Sequence, residues 1–156
     1  MVSVLRSIKP YWLYLILIGK KKIEAAKNYP VRDDWDKTCY FYCSKDLRSF
    51  KRIPEEDKKW MSKYLGTIAC KVVVPDIYCV LTFPEMFAGH PLFHTHSIRA
   101  ACLTNEEVLE YSNGKTVFGW LLKQLDKFDA PLELGSFVNH RGVKKAPQSW
   151  CYILSD

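Results

Sequence analysis

This sequence has no hydrophobic run long enough to cross a bilayer as a helix. Its longest, Tyr11 to Ile18, covers eight residues, and a span needs about 20. A cationic leader followed by a small-residue cleavage site is also missing, so neither secretion nor a membrane partner is expected. The six cysteines, at 39, 43, 70, 79, 102 and 151, form no Cys-x-x-Cys pair and no disulfide-like spacing. Several lie in apolar runs such as Thr38-Cys39-Tyr40-Phe41-Tyr42-Cys43. A free thiol packs there as a small hydrophobe, and the expected location is a reducing cytoplasm. There is no P-loop, no Gly-x-Gly-x-x-Gly and no dense Lys/Arg tail, which excludes those phosphate cradles and a fold-free nucleic-acid arm. His90, His94 and His96 fall within seven residues, yet no cysteine or carboxylate is spaced to complete a tetrahedral zinc site. No metal and no cofactor are expected.

What is present points to a folded, cleft-bearing protein. The 156 residues suffice for one domain, expected to span residues 1–156, and 48% of them are hydrophobic, enough for a core. Aromatic residues make up 14%, and Tyr and Trp in such number belong in the core, in a binding cleft, or in both. The balance of 23 basic to 17 acidic residues gives a formal charge of +6. This suits a phosphate-bearing partner and equally a solvated basic surface.

Along the chain, Val2 to Leu5 reads as a first strand. Pro10 opens a helix over Tyr11 to Ile18, apolar nearly all round and hence buried, which stops at Gly19 as a left-handed cap. Lys22 to Asn28 reads as a strand with Lys22, Glu24 and Ala26 on one face and Ile23 and Ala25 on the other. A loop over Asn28 to Asp36 carries Trp35, expected to fold over a cleft mouth. Thr38 to Cys43 is an aromatic strand, and Glu55 to Tyr64 an exposed helix. Gly66 to Val80 is strongly β, broken at Pro75. Phe83 to Phe93 reads as irregular. Thr104 with Glu107 forms a capping box for a helix ending near Asn113-Gly114, and Glu106 and Glu107 suit its first turn. Thr116 to Phe128 reads as one long strand, Pro131 to Phe137 as a helix, Asn139 to Pro147 as a basic loop and Ser149 to Leu154 as the last strand. The tally is about five or six strands and three or four helices with no βαβ rhythm and no repeat, which fits an α+β fold built as a small mixed barrel.

At Gly19-Lys20-Lys21-Lys22-Ile23-Glu24 a buried helix ends in Gly and passes through Lys into a strand carrying Glu. This order resembles the ASCH family, whose signature is roughly Gly-x-Lys-Thr-x-Glu-x-Arg, with Gly19, Lys21 and Glu24 in the matching places. Ser7-Ile8-Lys9-Pro10, Tyr40 to Cys43, Phe118 to Leu122, Pro131 to Leu134 and Pro147 to Tyr152 resemble further blocks of bacterial and prophage members. The sequence departs from the signature at Lys22, where Thr is usual, and at Ala26, where Arg is usual. The resemblance implies a PUA-like α+β fold, a small mixed β-barrel of about five or six strands with short flanking helices, whose cleft holds RNA, a nucleotide or a nucleoside.

On that resemblance the binding candidates are Lys20, Lys21, Lys22 and Glu24, with Lys21 and Glu24 also the catalytic candidates. A Lys beside a Glu and further ammonium groups is a poised base or nucleophile. A surface cluster complementing the helix C-terminus is the simpler alternative. Some family members resemble amidohydrolases on N4-acetylcytidine. In them the lysine corresponds to Lys21, while the catalytic Thr falls at Glu24. Trp120 and Trp150 are candidates for stacking a base or for the core. Arg141, Lys144 and Lys145, beside His140, form a candidate phosphate loop or a solvated turn. Three readings stay open: an RNA- or nucleotide-binding module, a hydrolase (amidohydrolase or ribonuclease), and a protein-interaction scaffold of phage origin. The oligomeric state is not readable from the sequence.

Overall fold

Arg6 is the only charged residue of the first strand, and its position follows from the alternation of that strand. The structure is a computed structural model that describes residues 1–86 and 90–156, without the side chains of 78–91. β1 (Val2–Ile8) is buried along almost its whole length. It lies between β3 (Trp35–Cys43), to which it is parallel, and β9 (Trp150–Leu154), to which it is antiparallel. With β4 (Thr67–Val73) and β8 (Lys123–Glu133) these make a five-stranded sheet in the order β8-β4-β3-β1-β9. A second sheet has the order β2-β7-β5-β6, from β2 (Ile23–Ala26), β7 (Val117–Leu121), β5 (Ile77–Met86) and β6 (His90–Phe93). Side chains alternate in a strand. Val2, Val4 and Ile8 therefore face the main core with Trp120, while Leu5 faces a separate cluster with Tyr40, Ile68 and Phe137. Arg6 shares the parity of Val4 and Ile8 and so points from the first sheet toward the second.

The helices cover these sheets. α1 (Pro10–Leu17) has Pro at its first turn and buries Leu13, Tyr14, Leu15, Ile16 and Leu17. It ends in a Schellman motif: Gly19 has φ +81°, and the Lys20 N–H donates to the Leu15 carbonyl at 2.9 Å. The Lys21 N–H reaches the same carbonyl at 3.0 Å. α2 (Leu47–Phe50), α3 (Glu55–Met61) and a 3-10 turn at Ser62–Tyr64 follow β3. α4 (Thr95–Ala100) and α5 (Asn105–Ser112) cover the second sheet through Ile98, Ala101 and Val108, packed on Ile23 and Val117. α6 (Leu134–Asn139) covers the outer face of the first sheet through Phe137 and Val138.

The alternation read for β2 holds, with Ala26 in the main core and Ile23 and Ala25 in the cluster under α4 and α5. The described residues carry nine strands rather than five or six, because two long β-prone runs are each two strands. The run from Gly66 breaks at residues 74–76 around Pro75, into β4 and β5 of different sheets. The run from Thr116 breaks at Leu122, where β7 leaves one sheet and β8 begins in the other. Residues 83–93 are not irregular: they carry the end of β5 and all of β6, with 87–89 outside the described residues. α6 starts at Leu134, so the segment from Pro131 is strand before it is helix.

Thr104 and Glu107 form the expected capping box. The Thr104 side chain accepts from the Glu107 N–H and the Glu107 carboxylate accepts from the Thr104 N–H, both at 3.1 Å. Thr104→Ala is expected to lower stability by about 1 kcal/mol in urea denaturation followed by circular dichroism. An unchanged midpoint would mean that α5 does not depend on its cap.

Candidate functional site

Three ionisable side chains are buried together where the two sheets meet. Arg6 is 6% exposed, Lys21 3% and Glu24 6%. Arg6 comes from β1 of one sheet, Glu24 from β2 of the other, and Lys21 from the turn that the Schellman motif directs inward. The Glu24 carboxylate lies between the two cations, 3.5 Å from Arg6 Nε and 3.7 Å from Lys21 Nζ. Each cation is also tied to the backbone. Arg6 Nη2 donates to the Ala25 carbonyl at 2.9 Å, and Lys21 Nζ to the Ala101 carbonyl at 2.6 Å. Arg6 Nη1 reaches Ser149 Oγ at 3.3 Å. Indole faces complete the setting, with Arg6 Cζ 5.1 Å from the Trp120 ring and Lys21 Nζ 5.3 Å from that of Trp12.

These groups form the floor of an open cleft of about 940 Å³. α1 contributes Trp12 to one wall, and α5 contributes Glu107, Glu110 and Tyr111 to the other. Five basic side chains line it (Arg6, Lys9, Lys21, Lys27 and Lys115) against three carboxylates (Glu24, Glu107 and Glu110). Lys27 Nζ sits 5.0 Å from the half-exposed Tyr111 ring. Glu24 Oε1 accepts from the Ala25 N–H at 3.0 Å. Oε2 accepts no hydrogen bond from the described residues, and the ion pairs on either side are longer than hydrogen bonds. The floor thus offers an under-used carboxylate acceptor beside cationic donors.

The structure brings Lys21 and Glu24 together and separates the other sequence candidates from them. Lys20 and Lys22 are exposed and outside the cleft lining, because the turn sends only Lys21 inward. Trp35 is not at the cleft mouth: it starts β3 opposite Val2, is 4% exposed, and packs in the main core. Trp120 is fully buried and offers no face to a ligand. Trp150 is half-buried and packs edge-on against Trp120 and Tyr152. Both indoles donate to Asn28, Trp120 to its carbonyl at 3.1 Å and Trp150 to its Oδ1 at 2.7 Å. They hold Asn28 on the cleft lining rather than lining it themselves. Arg141 faces a different concavity, pairs with Asp156, and covers the Phe137 ring at 4.4 Å. Lys144 and Lys145 are exposed and line neither concavity. Among the described residues no group of three His, Cys, Asp or Glu is placed to hold a metal. His94 caps α4 by accepting the Ser97 N–H at 3.3 Å, and the His90 side chain lies outside the described residues. Among the described residues no helix is long and apolar enough to cross a membrane.

Arg6, Lys9, Trp12, Lys27, Tyr111 and Lys115 escaped the sequence reading. For Arg6 a signal existed, since a lone arginine at a core-facing position between Val4 and Ile8 needs a buried partner. It also answers the departure at Ala26. A guanidinium does reach Glu24, from β1 instead of β2.

No family model and no curated protein matches the chain. Among solved structures it is similar to the ASCH protein of Zymomonas mobilis, with 15% identity, a TM-score of 0.65, and coverage of 96% of this chain and 86% of that one. Two single-substitution variants of that protein, one replacing a tyrosine by phenylalanine and one a serine by alanine, align equally well. Each has 14% identity, with TM-scores of 0.65 and 0.66 and coverage of 88% and 87% of their chains. The fold is that of the ASCH protein, a mixed α+β arrangement.

Burial sets the protonation behaviour of the floor. Desolvation lowers the Lys21 pKa from its ordinary 10.5, and the nearby Glu24 charge opposes that shift without cancelling it. Between the lowered folded value and 10.5 the unfolded chain binds more protons, so raising the pH through that interval stabilises the fold. The stability of the wild type relative to Lys21→Met is therefore expected to rise as the pH climbs toward 10.5, in urea denaturation at a series of alkaline pH values. A pH-independent difference would show that Lys21 is not desolvated.

Proposed function

We infer that the chain acts as one ASCH-type unit that binds RNA or a nucleotide in the cleft floored by Arg6, Lys21 and Glu24. The observation that carries this reading is the burial of three charges at the base of an open cleft. Desolvating ions is costly, and removing one partner of a buried pair costs about 3–5 kcal/mol. A hydrophobic junction would hold two sheets together as well. Charges kept there suit recognition of a polar ligand, and the volume is in the range of small-molecule sites. The Glu24 carboxylate accepts hydrogen bonds from an exocyclic amine, which favours cytosine-like edges. Tyr111 offers a stacking face once Lys27 moves to a phosphate. Lys27 and Lys115 give the rim its basic character. Such a ligand is consistent with a cytoplasmic location.

A second reading is supported by one specific feature. A lysine with a lowered pKa at a cleft floor, held beside a carboxylate, is equipped as a general base or nucleophile. This supports a hydrolase acting on an acylated nucleoside or on RNA.

Short fluorescent RNAs are expected to bind saturably by anisotropy at low salt. Lys27→Ala and Lys115→Ala should each weaken binding several-fold and flatten the salt dependence by about one unit of slope. No saturable binding of RNA, nucleotide or nucleoside would overturn the binding reading. Incubation with N4-acetylcytidine and with labelled RNA separates the second reading from the first. Product that disappears in Lys21→Met supports hydrolysis, and full recovery of both substrates removes it.

A further inference from the structure

Among the described residues two buried side-chain polar atoms have no hydrogen-bond partner, Arg6 Nε and Ser44 Oγ. Both residues line the same cleft. Native folds pair nearly all buried polar groups, so two unpaired ones in a single cleft mark where a polar ligand completes them. The two positions differ in character. Arg6 Nε has the Glu24 carboxylate 3.5 Å away, so donor and acceptor stand side by side. That arrangement matches the edge of a heterocycle and repels an anion.

The Ser44 end is different. Arg6 lies opposite Phe41 and Ile8 opposite Cys43 in the parallel pair of β1 and β3, and the Ser44 N–H donates to the Ile8 carbonyl at 2.9 Å. Ser44 is therefore three residues further along, about 10 Å at ~3.3 Å per residue. Lys9 lines the cleft here with a largely exposed side chain. Asp46 Oδ2 steadies its ammonium at 3.8 Å, while Asp46 Oδ1 caps α2 through the Ser49 N–H at 2.9 Å. Asp46 is not part of the cleft lining, and the lining carboxylates belong to the floor or to α5. Lys9 is also the N-cap of the eight-residue α1 and gives it no side-chain cap. That helix end is already partly satisfied, because the Tyr11 N–H donates to Ser49 Oγ at 3.0 Å and Pro10 has no N–H to offer. A hydroxyl without a partner and an ammonium held only by a 3.8 Å ion pair share one preference, for an oxyanion.

We propose that Lys9 and Ser44 form a dedicated phosphate subsite, so that the ligand of the cleft is a phosphate-bearing nucleotide, free or within RNA, rather than a nucleoside. This rests on the reading of the floor as a base-binding site and adds the group held at its far end. It also places phosphate recognition away from Lys20, Lys22 and the loop at Arg141, Lys144 and Lys145, none of which lines this cleft.

The test is an amide NMR titration of the whole chain with inorganic phosphate, a nucleoside, its 5′-monophosphate and a short oligoribonucleotide. Phosphate alone is expected to shift the amides of Lys9, Trp12 and Ser44 saturably. The monophosphate should bind about tenfold more tightly than the nucleoside, the worth of one charge-assisted hydrogen bond. Lys9→Ala and Ser44→Ala should erase that preference. Both are safe for the fold, since one side chain is exposed and the other loses only an unpaired hydroxyl. The oligoribonucleotide binding more tightly than the monophosphate would make the RNA backbone the source of the phosphate, and the reverse a free nucleotide. Phosphate shifts at Lys144 and Lys145 alone, no shifts at all, or equal affinity for nucleoside and monophosphate would overturn the subsite. Phosphate binding at Ser44 with no affinity for any nucleoside, nucleotide or RNA would keep the subsite and remove the nucleotide reading instead.

Discussion

The contact between Arg6 and Glu24 joins the two sheets, and the cleft exists because that joint is ionic. Arg6 projects from β1 and reaches the second sheet three times: at the Glu24 carboxylate, at the Ala25 carbonyl and over the Trp120 ring. An apolar pair in these positions would close the seam. A guanidinium and a carboxylate keep it polar, and they draw in Lys21 as a second cation to be satisfied. Lys21 in turn needs the Ala101 carbonyl, which fixes the C-terminal end of α4 against the turn after α1. The Lys22 N–H, donating to the Ala100 carbonyl at 2.7 Å, secures the same junction.

The rest of the site is arranged around this joint. The Schellman turn at Gly19 aims Lys21 inward and leaves Lys20 and Lys22 in solvent. The capping box at Thr104 starts α5 where its Glu107, Glu110 and Tyr111 form a wall. The two indoles of Trp120 and Trp150 anchor Asn28 from opposite sheets. Around the polar floor the cleft carries a basic rim and the rings of Trp12 and Tyr111.

Much of the local structure was legible because it depends on short-range chemistry. Pro10 and Gly19 bracket α1, Thr104 and Glu107 start α5, and the alternation of β2 separates Glu24 from Ile23 and Ala25. The errors share a different cause. Pattern alone does not say when a strand changes sheets, so the run across Leu122 reads as a single element, and the break at Pro75 does not announce a second sheet. Trp35 reads as a loop residue because Arg32, Asp33 and Asp34 precede it, yet pairing with Val2 draws it into the core. Arg141 reads as free cation, although Asp156, fifteen positions on, and the Tyr40 and Phe137 rings occupy it.

The sequence by itself determined the α+β class, the ends of the main helices, the resemblance carried by Gly19, Lys21 and Glu24, and the neighbourhood of Lys21 with Glu24. All of these rest on residues close together in the chain, where backbone geometry fixes the outcome. The tertiary structure alone decided that Arg6 meets Glu24 from another sheet, that Lys9 and Ser44 share a cleft with them, and that Trp35, Trp120 and Arg141 do not line it. Those relations join residues many positions apart, and only the packing of one sheet on the other brings them within reach.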